Sequence, residues 1–128
     1  MQAVITFIDE HIGGVLHTLE VETDVVIHTL RDVIALRVAE EVRRYNAQEP
    51  TSPYGFAVSE TEAQLNGKRR TLKPEDAEKQ TYIAFDAFLK HRYFVIVNDT
   101  QVENLDARVV LGPRATVSFF RLTQLVGG

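Results

Sequence analysis

The stretch VLHTLEVETDVVIHTLRDVIALRVAEEVRRY, residues 15–45, changes its apolar period part-way along, and that change decides the fold. Up to Glu22 it alternates. Val15, His17, Leu19 and Val21 share one face, and Thr18, Glu20 and Glu22 the other, as in a half-buried antiparallel strand. Beyond it, Leu30, Ile34, Val38 and Val42 recur at helical spacing with Ile27 and Val33 beside them. Arg31, Glu40, Arg43 and Arg44 fall largely off that stripe. The spacing predicts one long amphipathic helix over residues 26–45, capped by Thr23 or Asp24 and packed on the preceding hairpin.

Working outward, residues 3–8 are mostly apolar and β-branched and read as a first strand, with Gly13-Gly14 as the hairpin turn. Residues 46–54, NAQEPTSPY, form a polar, proline-containing break. Residues 55–72 are harder to read, but Asn66-Gly67 is a favoured hairpin turn and predicts a small hairpin there. Pro74-Glu75-Asp76 opens a second helix, with proline in the first turn and acids complementing the helix dipole. That helix carries Tyr82, Phe85, Phe88 and Leu89, expected in the core, and should end near His91. YFVIV (93–97) reads as a strand, Asn98-Asp99-Thr100 as a turn and residues 101–105 as a short strand. Gly112-Pro113 is another turn, ATVSFFRL (115–122) the last strand and TQLVGG (123–128) a tail. No internal repeat or second domain is visible. Hairpin, helix, insertion and then strands is an α+β order. The two ends can lie side by side in a mixed sheet that wraps the long helix, which is a β-grasp, with residues 47–92 as an inserted hairpin and helix.

The composition fits this reading. The chain has 128 residues, 45% hydrophobic and 25% charged, in the range of one ordinary soluble domain. It has no cysteine, which excludes disulfide staples, thiolate metal ligands and a cysteine nucleophile of its own. A net charge of -4 without a long basic run argues against nonspecific binding to nucleic acid or an anionic membrane. No apolar run approaches the roughly 20 residues of a membrane helix. The opening MQAVITFIDE lacks a basic region and turns acidic at Asp9, unlike a signal peptide, so a cytoplasmic location is expected.

Few residues suggest chemistry. His11, His17, His28 and His91 are scattered; His28 and Asp32 are spaced as an i, i+4 pair, but no third ligand accompanies them. Glu60, Glu62, Asp76 and Glu78 show no pocket signature, and Gly67-Lys68-Arg69-Arg70 holds too few charges for a nucleic-acid site. The chain is therefore expected not to be an enzyme.

Two separated segments resemble ubiquitin-like proteins. At the front, MQ opens a strand and TLEVE, residues 18–22, directly precedes the long helix, as in ubiquitin. At the back, FVIVNDTQVENLDARVVLGPRATVSFFRLTQLVGG, residues 94–128, resembles the end of the bacterial sulfur carriers of the ThiS/MoaD type. Those carriers share the VN turn, the aromatic pair on the final strand and the terminal Gly-Gly. The resemblance covers roughly residues 1–46 and 93–128, and not the long connection between them.

The resemblance implies a bacterial-type ubiquitin-like modifier. A ThiF/MoeB-like activating enzyme would adenylate the carboxylate of Gly128, consuming ATP, and the tail would be joined to target proteins by an isopeptide bond. A conjugating enzyme and a JAB-type peptidase are further partners it implies, and a chain ending at Gly128 would need no maturation protease. Gly127-Gly128 suits this chemistry, because no Cβ flanks the reacting carbonyl and glycine threads a narrow channel. Leu125 and Val126 would give the tail apolar grip and extended propensity. No P-loop or other Gly-rich phosphate motif is present, so no bound cofactor is expected and the nucleotide belongs to the partner.

By the same resemblance Phe120, the second aromatic of the pair, faces the activating enzyme, with Leu122 and Arg121 beside it. The residues alone equally allow both Phe119 and Phe120 to be core, and Arg114 and Arg121 to be merely solvated. A sulfur carrier with a C-terminal thiocarboxylate, for cofactor biosynthesis or RNA modification, is the alternative function. A noncatalytic interaction module with an incidental Gly-Gly is a second. The insertion is a candidate surface for homo-oligomer formation, or a cover for an open sheet edge.

Overall fold

Main-chain hydrogen bonds join five strands into one mixed sheet in the order β2-β1-β5-β3-β4. This is seen in a computed structural model that describes residues 3–50, 55–56 and 72–122. Among the described residues the strands are β1 (Ala3–His11), β2 (Gly14–Thr23), β3 (Tyr93–Val97), β4 (Thr100–Val102) and β5 (Arg114–Arg121), and the helices are α1 (Leu30–Asn46) and α2 (Pro74–Leu89). The fold is α+β, with β1 parallel to β5 and the other pairings antiparallel.

β1 and β2 form the expected hairpin, closed by Gly14 at φ +128°, a backbone region that side chains avoid. A bulge shifts the register between Asp9 and Glu10. It sets Val15 opposite Glu10, so Val15 leaves the face of His17, Leu19 and Val21 on which the alternation had put it, and stands exposed.

α1 begins at Leu30, later than residue 26, and neither Thr23 nor Asp24 caps it. The Thr23 hydroxyl instead accepts the N–H of Val25 (3.0 Å). The helix starts where the Asp32 carboxylate accepts the N–H groups of His28 (2.8 Å) and Thr29 (3.1 Å). Its first free donors are taken as well, Leu30 N–H by the Ala107 carbonyl and Arg31 N–H by that of Leu105. His28 and Asp32 thus meet through the main chain rather than as a side-chain pair.

α2 lies where the second helix was predicted and packs against α1, burying Ala84 and Phe88. Within the insertion it is therefore part of the core. The buried Tyr93 hydroxyl, on β3, donates to the Ala84 carbonyl (2.7 Å) and ties the helix to the sheet. Two of the residues expected in this core are not there: Tyr82 and Leu89 point outward and are exposed. β4 is shorter than predicted, because the chain turns at Asn104, whose side chain accepts the Asp106 N–H (2.8 Å), and buries Leu105. The predicted hairpin falls almost wholly outside the described residues.

The core lies between α1 and one face of the sheet, filled by Ile5, Phe7, Leu30, Ile34, Val117 and Phe119 among others. Among the described residues, no helix is long and apolar enough to cross a membrane.

Candidate functional site

β5 is the middle strand of the sheet, and its end hands the chain on to residues 123–128. Its side chains alternate between the two faces of the sheet. Ala115, Val117 and Phe119 enter the core, whereas Thr116, Ser118 and Phe120 stand on the face away from the helices. Phe119 is fully buried, stacked on Phe7 with ring centres 5.7 Å apart and edge-on to Tyr93 at 5.8 Å. Phe120 is half-buried, paired across β3 with Phe94 and across β1 with Glu10. One step back along the strand, Ser118 sits between Ile8 and Ile96. Phe120, Phe94, Ile8 and Ile96 thus form an apolar patch around Ser118 on the outer face, with Glu10 at its margin.

The opposite side of the same strand end holds a buried ionic group. Arg37 of α1 is completely buried and donates through both terminal nitrogens to Asp9 of β1, at 3.0 and 2.8 Å. Its Nε donates to Glu41, one helical turn on. The other oxygen of Glu41 accepts the N–H of Phe56 at 2.7 Å. The guanidinium also lies over the rings of Phe119 (5.3 Å) and Phe7 (5.5 Å). Burial pushes the Arg37 pKa down, but hydrogen bonds and charge from Asp9 and Glu41 outweigh this and hold it above its ordinary value.

Arg121, the last residue of β5, reaches inward toward this group, with its guanidinium 5.3 Å from the Phe56 ring. Burial, reinforced by the charge of Arg37, keeps its pKa below the usual arginine range against the pull of Asp9 and Glu41. Gly55 passes so close to Glu41 that a Cβ there would collide with the carboxylate. Removing one member of such a buried set strands the charge of another, at a cost of about 3–5 kcal/mol. Its hydrogen bonds tie β1 to α1 and to Phe56, with the Arg37 guanidinium against Phe119 of β5.

Of the residues singled out in the sequence, Phe120 lies on the outer face and Leu122 just past it is exposed. Arg121 lies on the opposite face from Phe120, so those two do not join in one patch. Arg114 is exposed at the far end of the strand. Leu125, Val126, Gly127 and Gly128 lie outside the described residues.

Sequence reading missed Asp9, Arg37, Glu41 and Phe56. A signal existed for two of them, since Arg37 and Glu41 fall on the apolar stripe of α1 beside Ile34, Val38 and Val42, where a solvated pair would not. Comparison with family models, curated proteins and solved structures finds no match to this chain.

Proposed function

We propose that this chain is a β-grasp, ubiquitin-like protein modifier that acts through its terminal diglycine. In this reading the Gly128 carboxylate attacks the α-phosphorus of ATP held by an adenylating partner, and pyrophosphate leaves. A target amine then attacks the acyl carbonyl and AMP leaves, with an isopeptide bond as the product. The carrying observation is the strand order. The last strand is the sheet's middle one, parallel to the first, and leads straight into LTQLVGG, with Phe120 half-open on its helix-free face. A β-grasp has this arrangement, and the resemblance of residues 94–128 to the sulfur carriers supplies the chemistry.

A rigid base and an apolar outer patch suit a molecule held by its body while its tail enters another active site. The partner provides the nucleotide site, and the residues of this chain provide the docking surface and the acyl group.

The test is mass spectrometry of adducts from the native host. Arg121 is the last basic residue, so trypsin leaves LTQLVGG on each modified lysine. That remnant on other proteins is the expected result. Free chain with sulfur replacing one terminal oxygen, and no remnant, would make it a sulfur carrier. Neither species, in cells expressing the activating partner, would leave an interaction module.

A further inference from the structure

Two arms of irregular chain meet beside the start of β1. Residues 24–28 leave β2 on one side of that strand, and residues 108–113 enter β5 on the other. The arms join where the Val109 N–H donates to the His28 carbonyl (3.0 Å). The pairing of Ala3 with Thr23, and the Val4 N–H on the Pro113 carbonyl (2.9 Å), close the ring. Its residues line a hollow of about 340 Å³. The inner wall is core, with Ile5, Val109 and Leu111 buried. Val25 and Val110, 57% and 87% exposed, flank the opening. Among the described residues, the polar side chains that line it are those of Arg108 and His28, and no carboxylate does. Arg108 makes no ion pair among these residues, and Asp106, two places back, is held by Arg31 (2.7 Å).

We infer that this hollow binds a small monocarboxylate with an apolar body. The carboxylate meets the Arg108 guanidinium, which matches it in geometry as well as charge, and His28 offers a further donor. The body rests on Ile5 and Leu111, between the two valines. A preformed apolar pocket with a few polar groups to orient its occupant is the usual form of a ligand site. A phosphate suits it less, because a second negative charge against apolar walls loses hydration that one arginine does not replace.

The volume lies near the lower end for ligand pockets, so a short chain fits where a long lipid does not. The hollow is at the opposite end of β5 from residues 123–128, and its occupancy is independent of what the tail does.

Amide ¹H–¹⁵N spectra of the full chain, titrated with octanoate to about 20 mM at constant ionic strength, test this. Amides of residues 25–28 and 108–112 should shift saturably, with a Kd of about 1–10 mM for so small a ligand. Acetate has the charge without the apolar body and should bind about tenfold more weakly or worse. Arg108→Gln, at an exposed position, should weaken octanoate binding by about tenfold. Ala3→Leu, on the same face of β1 as Ile5, fills the hollow and should abolish the shifts. Signals from β3, which takes no part in the hollow, report whether each variant is folded. Absence of shifts, shifts spread over the whole chain without saturation, or binding unaltered by Arg108→Gln would overturn the proposal.

Discussion

Phe119 and Phe120 are neighbours in sequence and opposites in role, since a strand sends successive side chains to opposite faces. Phe119 is sealed among Phe7, Phe56 and Tyr93. Its replacement by alanine leaves a ring-sized void and should cost about 3–5 kcal/mol, a large part of a total that is typically 5–15 kcal/mol. Phe120→Ala removes a cross-strand contact with Phe94 and should cost only about 1 kcal/mol, while reducing binding to an activating partner. Urea melts of both variants, beside a binding assay for Phe120→Ala, check the pair. If Phe120→Ala unfolds the chain, its assignment to a docking surface fails. The residues alone allowed both rings to be core, and the outward place of Phe120 was expected only from the resemblance. The ionic group beneath them was legible only in part: Arg37 and Glu41 stand on the apolar stripe of α1, but nothing local to them names Asp9 or Phe56 as their partners.

Among the elements, α1 shows how local chemistry overrides periodicity. Val26 and Ile27 continue a helical rhythm, and Thr23 and Asp24 look like caps. The chain nevertheless waits until Thr29, because Asp32 supplies the acceptor that the first turn needs and residues 105–107 supply carbonyls to its donors. Those carbonyls come from a part of the sequence that no local window sees. Asp32→Ala should cost about 1 kcal/mol, read as a lower denaturant midpoint with an unchanged slope. β1, β3, β5 and α2 were legible because apolar, β-branched or aromatic runs, or proline at a helix start, agreed with where they pack. The bulge that turns Val15 outward left no mark in the residues themselves.

For the molecule as a whole, stability should depend on pH at both ends. Hydrogen bonds from the His28 and Thr29 N–H groups hold Asp32 below the usual carboxylate range, against a smaller effect of burial. Burial pushes Glu40 up, but Arg43 and Arg44 together bring it below its ordinary value. The stability these two acids contribute is present above their ordinary pKa values and is lost as pH falls through the lowered ones. Tyr93 is the reverse, since burial raises its hydroxyl pKa above the usual tyrosine value. Its contribution is intact below that value and fades as pH rises past it. Denaturant midpoints should therefore form a plateau from about pH 5 to about pH 9 and fall on both sides. Tyr93→Phe should flatten the alkaline fall, and a variant with an unaltered alkaline limb would place the cause elsewhere.

The parallel ladder between β1 and β5, in register from Val4 with Arg114 to His11 with Arg121, also sets how the molecule meets force. Tension on the chain's last residues draws β5 lengthwise, with β1 and β3 gripping it on both sides, so its hydrogen bonds are loaded in shear together rather than unzipped in turn. Forced extraction is governed by the height of that barrier rather than by equilibrium stability. A machine that hauls this protein in by its tail begins its work against the strand that is gripped from both sides.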